Sequence, residues 1–140
     1  MVRDRLPLNP RAHWLITGAG RGIGEALARE VRGKYPVAHL SLADRDLPSA
    51  QRLAAELGHA TALRTELAQI GELELTLGEA RAASGPVDVL VNNAGVMWVG
   101  DAASFTRQRT EELLAVDLVA PIRLVQLVLP EMRSRGGGSI

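Results

Sequence analysis

The sequence contains no cysteine, and it carries no excess of either charge. Without cysteine the chain forms no disulfide and offers no thiolate to a metal ion. Sixteen Lys and Arg residues balance sixteen Asp and Glu residues, so the composition favours no nucleic-acid partner. The 140 residues, 46% of them hydrophobic, are enough for one domain with a hydrophobic core.

Long uninterrupted apolar runs are also missing. Residues 1–11 lack the apolar stretch of a signal peptide. The most apolar segment, residues 113–129, is interrupted by Asp117, Arg123 and Gln126, and it is shorter than a membrane span requires. We therefore expect a cytoplasmic protein with no membrane partner.

Short apolar runs alternate with amphipathic stretches along the chain. For example, Ile23, Ala26, Leu27 and Val31 recur at the spacing of one helix face. The pattern predicts strands at residues 12–17, 37–43, 60–65 and 87–92, and helices at residues 22–32, 48–57, 69–84 and 106–133. This alternation indicates an α/β fold, with a parallel sheet and helices on both of its faces.

A glycine-rich segment, residues 17–24 (TGAGRGIG), separates the first predicted strand from the first helix. At this position backbone N–H groups at a helix N-terminus can bind the pyrophosphate of a dinucleotide. The literal G-x-G-x-x-G spacing fails because its last position is Ile23. Taken alone, the segment is equally consistent with a flexible turn.

Two further motifs follow later strands. Asp44 ends the second predicted strand, twenty residues after Gly24, where a carboxylate can accept hydrogen bonds from an adenosine ribose. Residues 92–95 (NNAG) follow the fourth strand, and small residues and amides there let a ligand approach the backbone. Each motif alone is also consistent with an ordinary polar turn.

Together these residues resemble the short-chain dehydrogenase/reductase family. The family pattern T-G-x-x-x-G-x-G is matched by residues 17–24, and its N-N-A-G by residues 92–95. Its helix pattern, an Asn followed by L-P-x-M, is partly matched by residues 116–118 and 129–132. The resemblance extends over essentially the whole chain after about residue 10.

The resemblance implies an NAD(P)-binding Rossmann domain over residues 1–140 with strand order 3-2-1-4. The domain is expected to be incomplete at its C-terminus. The glycine run at residues 136–138 is expected to turn the last helix into a fifth strand, which begins at residues 139–140 and is cut off there.

The resemblance also implies the cofactor contacts. The glycine segment would surround the pyrophosphate, Asp44 would face the ribose, residues 66–67 would hold the adenine, and residues 93–95 would line the nicotinamide side. The implied set is Gly18, Ala19, Gly20, Arg21, Gly22, Ile23, Gly24, Asp44, Arg45, Glu66, Leu67, Asn93, Ala94 and Gly95. Thr17 and Asn92 are expected to tie neighbouring strands together.

The expected cofactor is NAD rather than NADP. Asp44 would repel and crowd the 2′-phosphate of NADP. Arg21 and Arg45 could instead hold that phosphate, which keeps NADP open.

One active-site position falls on the long predicted helix. The family uses an Asn whose main-chain carbonyl holds a water in a proton relay, and Asp117 occupies that position here. Pro121 lies four residues later, so its ring clashes with this carbonyl and it donates no hydrogen bond to it. We expect a kink that frees the Asp117 carbonyl.

The family's other catalytic residues, a Ser and a Tyr-x-x-x-Lys, are expected to be missing. Tyr35 has no Lys four residues later, and His13, His39 and His59 have no metal-like spacing, so no metal site is expected. The resemblance implies an oxidoreductase that interconverts a small alcohol and a carbonyl compound, inactive as this chain alone. Alternatives are a non-catalytic NAD(P)-binding or sensing module, and half of a two-chain assembly. The complete protein is expected to be a homo-oligomer.

Overall fold

The computed structural model describes residues 9–140. The strands are β1 (His13–Thr17), β2 (His39–Asp44), β3 (Ala60–Arg64) and β4 (Val89–Val91). The helices are α1 (Gly22–Lys34), α2 (Leu47–Leu57), α3 (Leu73–Ser84), α4 (Arg107–Leu114) and α5 (Ala120–Ser134). All four strands are parallel and lie in the order β3-β2-β1-β4, so the predicted α/β fold and strand order are confirmed.

Alternate residues of the strands face opposite sides of the sheet, and each side carries helices. Trp14 and Ile16 of β1 pack with α1 and α2, whereas Leu15 between them packs with α3 and α5. This period of two follows from the pleat of a strand. Burial on both faces explains why the central residues of β1, β2 and β4 are mostly apolar, as in parallel strands generally.

Several element boundaries differ from the predicted ones. Helix α1 ends at Lys34 rather than at residue 32. Gly33 does not take the positive φ that would end the helix, and Tyr35 is the C-cap residue. Strand β2 starts at His39 rather than at residue 37. The third helix begins with a 3₁₀ turn, Ile70–Glu72, before α3 itself.

The long predicted helix is interrupted at its middle. A π-helical turn, Ala115–Val119, joins α4 to α5, and the N–H of Ala120 donates to the carbonyl of Ala115. The irregularity predicted here takes the form of a π-turn, a feature at which helices commonly kink. Its cause is the one anticipated, since Pro121 has no N–H with which to continue the α-helical ladder past Asp117.

Helix Arg107–Ser134, with 28 residues, is long and apolar enough to cross a membrane by length and composition. The expectation of too short a segment was drawn from residues 113–129, and the helix extends beyond that segment at both ends. One face of the helix is buried against the sheet through Val116, Ala120, Leu124, Val128 and Met132. Only 22% of its most apolar 18-residue window is buried inside the protein, so most of this window is not covered by the described residues.

A fifth strand position begins beside β4, as the sequence predicted. Ser139 forms a parallel bridge with Val89. Its N–H donates to the carbonyl of Asp88 at 2.9 Å, and its carbonyl accepts from the N–H of Leu90 at 3.0 Å. Part of the β4 edge is therefore paired.

The amino ends of β1 and β2 carry a buried polar pair. The carbonyl of Gly85 can only accept, so Nδ1–H of His13 donates to it at 2.9 Å, and the hydroxyl of Ser41 then donates to Nε2 at 2.8 Å. This direction of the Ser41 hydrogen bond belongs to the neutral imidazole, which the burial of His13 favours. Burial lowers the pKa of His13, and it also lowers the pKa of the neighbouring His39.

A neutral His13 makes the stability of the fold depend on pH. The unfolded chain binds a proton near pH 6.5, whereas the folded chain resists protonation until a lower pH. The contribution of neutral His13 to the free energy of unfolding should thus be complete above pH 6.5. It should be lost as the pH falls from there toward the lowered pKa of His13 in the folded chain. Urea unfolding across this range should show a shallower pH dependence in His13→Gln.

His59→Asn is the matched control for this test. His59 is exposed and has a φ of +44°, a conformation that Asn tolerates. This variant should keep the pH dependence of the unmutated chain. An unchanged dependence in His13→Gln would show that His13 is not the titrating group.

Candidate functional site

The turn between β1 and α1 packs directly on the residues that follow β4. Gly18 has a φ of +65°, and a Cβ on it would lie 2.8 Å from the Cα of Ala94. A Cβ on Gly24 would collide with the carbonyl oxygen of Gly18 and lie 2.6 Å from Nδ2 of Asn93. Only glycine allows this approach, which is why residues 17–24 need glycine at these two positions.

Two polar side chains tie this turn to β4. The hydroxyl of Thr17 donates to the carbonyl of Val91 at 3.2 Å and accepts from the N–H groups of Asn93 and Ala94, each at 3.1 Å. The amide of Asn93 donates to the carbonyls of Thr17 and Gly18 at 2.9 and 3.2 Å. The tying role predicted for Thr17 is confirmed. The second tie is Asn93, whereas sequence reasoning assigned it to Asn92.

The N-terminus of α1 faces the carboxyl end of the sheet. Its N-cap residue, Arg21, makes no side-chain capping hydrogen bond. The first N–H groups of an α-helix have no partner within the helix. A Cβ on Gly22 would meet nothing within 4 Å, so open space lies beside this first turn. These amides and the helix dipole are suited to an anion such as a pyrophosphate.

Asp44 connects the glycine turn to the end of β2. One of its carboxylate oxygens accepts from the N–H of Gly20 at 2.8 Å, and the other accepts from the N–H of Asp46 at 2.9 Å. The carboxylate is thereby held in place with further lone pairs left for a ligand hydroxyl.

A cleft of about 360 Å³ opens at the carboxyl end of the sheet. It brings together most of the predicted cofactor contacts, namely Gly18, Arg21, Gly22, Ile23, Asp44, Arg45, Glu66, Leu67, Asn93, Ala94 and Gly95. Three predicted contacts do not line it. Ala19 is fully buried, Gly20 binds Asp44, and Gly24 packs on Gly18.

Further lining residues were not identified as ligand contacts from sequence. Thr17, Ala43, Thr65, Val96 and Val116 also line the cleft. Thr17, Ala43 and Thr65 lie at strand ends, a position that could have indicated them. Val116 carries no such signal, because its place depends on how the helix from α4 to α5 packs on the sheet.

Charged side chains border the cleft on the β2 side. Arg45 forms an ion pair at 3.8 Å with Glu112 of α4, and more than half of the Arg45 side chain is exposed. Arg21 is also exposed and lines the cleft. Both arginines therefore line the part of the cleft where the 2′ group of an adenosine ribose would bind.

Asp117, the predicted active-site residue, does not line the cleft but lies next to residues after β4 that do. Its Oδ1 accepts from the N–H of Val96 at 2.8 Å, and a Cβ on Gly95 would lie 3.4 Å from the same oxygen. The predicted active-site position is thus in contact with the segment that follows β4. Within residues 9–140, no group of three His, Asp or Glu side chains is arranged to hold a metal ion.

The arrangement fits a dinucleotide. It combines a glycine turn under a helix N-terminus, a fixed carboxylate after β2, and small residues after β4 along one cleft. These features define a Rossmann-type dinucleotide-binding protein. The family model described as short chain dehydrogenase matches residues 12–140, and the chain belongs to that family.

Curated relatives match nearly all of the chain. The ketoacyl reductase HetN of Nostoc sp. is 31% identical over 128 residues, which are 90% of this chain and 45% of that protein. Carbonyl reductase family member 4 of Xenopus laevis is 35% identical over 129 residues, which are 89% of this chain and 52% of that protein. The chain spans about half the length of the curated relatives it matches.

Solved structures of short-chain dehydrogenases and reductases also match nearly all of the chain. A metagenomic short-chain oxidoreductase in complex with NADP superimposes with a TM-score of 0.85 at 31% identity, covering 93% of this chain and 61% of that one. The 3-ketoacyl-(acyl-carrier-protein) reductase of Brucella melitensis, complexed with NADH, gives 0.83 at 28% identity, covering 89% and 52%. The chain corresponds to the N-terminal, NAD(P)-binding region of the short-chain dehydrogenase family, and of these two solved relatives one holds NADH and the other NADP.

The contact between Gly24 and Gly18 yields a test of the site's construction. Gly24→Ala places a methyl group against the Gly18 carbonyl, so we expect a loss of about 3 kcal/mol in the free energy of unfolding. Gly33→Ala is the control, since its Cβ meets nothing within 4 Å in a helix. It should stabilise the chain by about 0.5–1 kcal/mol. Equal free energies of unfolding for the two variants, measured in urea, would contradict the tight contact.

Proposed function

We propose that this chain binds NAD in its cleft as part of an enzyme that interconverts a small alcohol and a carbonyl compound. The observation that carries the proposal is the single cleft that joins the α1 N-terminus, Asp44 and the residues after β4. Bound there, the dinucleotide would supply the hydride acceptor or donor. The chain's own residues bind and orient it.

The proposed binding mode follows the order of the strands. Adenosine lies over β2 and β3, where Asp44 accepts from its ribose hydroxyls and Leu67 and Val116 provide apolar contacts. The pyrophosphate lies at the N-terminus of α1. The nicotinamide half then reaches the end of β4, on the opposite side of β1. Glu66 also lines the adenosine side, and its Oε1 accepts from the N–H of Ala68 at 3.3 Å.

The charges on the adenosine side support NAD over NADP. The Asp44 carboxylate is held by two backbone N–H groups, so it cannot easily turn away from a 2′-phosphate. Arg45, the neighbouring cation, is engaged by Glu112. Arg21 is the cation that would most directly favour NADP.

Replacing Asp44 tests the proposal. Asp44→Asn keeps an oxygen for the N–H of Gly20, loses the acceptor for the N–H of Asp46 and removes the charge, so we expect the preference for NAD over NADP to fall about tenfold. Asp46→Asn removes an equal charge two residues away, where Asn still caps α2, and should change the preference little. Calorimetric titration with both dinucleotides gives the ratio. Equal affinities for NAD and NADP in the unmutated chain would overturn the preference.

Asp117 occupies the family's Asn position, and we propose that it serves the same relay in the complete protein. No Tyr-x-x-x-Lys occurs in the 140 residues. A Ser and a Tyr-x-x-x-Lys in the complete coding sequence would support the enzyme, whereas their absence would favour a sensing module or a two-chain assembly.

An exposed apolar face supports a homo-oligomer of the complete protein. Leu114, Leu118, Val119 and Ile122 lie exposed on the helix from α4 to α5. A contiguous apolar patch on a helix is typical of an interface, and a two-fold axis would pair it with itself.

Light scattering tests this self-association. The molar mass of the unmutated chain should exceed the 15.0 kDa of a monomer. The double variant Leu118→Glu, Ile122→Glu should have a molar mass closer to that value. Leu75→Glu, on exposed α3, should leave the mass unchanged. A monodisperse 15.0 kDa species for the unmutated chain would show that the face does not pair in this chain.

A further inference from the structure

Asp117 is an acidic side chain next to residues that line the cleft, and the contact that holds it does not neutralise it. Its Oδ1 accepts from the N–H of Val96, which is an uncharged donor. No Lys, Arg or His within residues 9–140 forms an ion pair with it. The same oxygen lies beside Gly95, which lines the cleft. A carboxylate thus lies next to the cleft lining at Gly95 and Val96, without itself lining the cleft.

The π-turn fixes this charge in position. Asp117 is the central residue of the turn Ala115–Val119, directly after Val116, which is buried and lines the cleft. The turn exists because Pro121 interrupts the α-helical ladder. The carboxylate is therefore positioned by backbone geometry and by its hydrogen bond, rather than by a flexible loop.

The order of the strands decides which half of a dinucleotide lies near Asp117. The ribose-binding carboxylate, Asp44, follows β2, and the pyrophosphate site lies at the end of β1. Strand β4 pairs with β1 on the side away from β2. The nicotinamide half therefore lies over the end of β4, where Gly95 and Val96 are in contact with Asp117.

The two redox forms of the nicotinamide ring differ by one charge. The oxidised ring carries a positive charge that the reduced ring lacks, and the rest of the dinucleotide is unchanged. A nearby carboxylate attracts the oxidised ring and has no such attraction for the reduced one. We propose, on the basis of the proposed function, that Asp117 makes the site prefer the oxidised over the reduced cofactor.

This role is separate from that of a hydrogen-bond acceptor. Asn at position 117 keeps an oxygen for the N–H of Val96, so the segment after β4 retains its anchor while the charge is lost. Because Asp117 is exposed, solvent screens part of its field. We therefore expect an effect of about threefold on the ratio of the two dissociation constants.

The experiment is a calorimetric titration of the 140-residue chain with NAD⁺, NADH and ADP-ribose. Asp117→Asn should weaken NAD⁺ binding about threefold relative to NADH. ADP-ribose, which lacks the nicotinamide ring, should bind both proteins equally. The preference of the unmutated chain for NAD⁺ should also shrink as the salt concentration rises.

Glu111→Gln is the matched control. Glu111 is an exposed carboxylate on α4 that pairs with Arg107 at 3.5 Å, and its loss should leave the NAD⁺ to NADH ratio unchanged. If both cofactors bind and Asp117→Asn keeps the ratio, the inference on Asp117 is wrong and the proposed function stands. If neither cofactor nor ADP-ribose binds the unmutated chain, the proposed function fails and the inference fails with it.

Discussion

The close packing of the β1–α1 turn on the residues after β4 is the contact on which the cleft depends. It needs bare backbone at Gly18 and Gly24, because a methyl group at either position would meet main-chain atoms. Thr17 and Asn93 then join the two segments with hydrogen bonds from both sides. Through this contact the N-terminus of α1 is held over the end of β1, facing the cleft.

The two ends of the sheet differ in whether their backbone groups are hydrogen-bonded within the protein. At the amino end, Arg32 donates to the carbonyls of Tyr35, Pro36, Ala38, Gly58 and His59. His13 is buried nearby with both ring nitrogens paired. Backbone groups there are satisfied within the protein. At the carboxyl end, the first turn of α1 is uncapped by side chains and borders open space. The backbone groups free to bind a ligand thus lie at the carboxyl end of the sheet.

The π-turn in the long helix shows how a local irregularity reaches the cleft. Pro121 cannot donate to the Asp117 carbonyl, and the helix widens at Ala115–Val119. This turn places Val116 in the cleft and Asp117 against Val96. The segment after β4 is therefore anchored at two places, by Thr17 near its start and by Asp117 further on. The hydrogen-bonding side of Asp117 serves the fold, and its charge remains available to a ligand.

The sequence pattern alone determined the alternation of strands and helices and indicated the kind of site, and the family resemblance added the strand order. Alternating apolar runs predict βα units, because each strand buries both faces, and residues 17–24 with Asp44 and residues 92–95 indicate a dinucleotide. Only the tertiary structure decided that Asn93 rather than Asn92 ties the strands, and that Val116 lines the cleft. It alone showed that Asp117 binds Val96. These contacts join residues far apart in the chain, and they depend on the register of β1 against β4 and on how α5 packs on the sheet. A pattern of single residues carries no information on either.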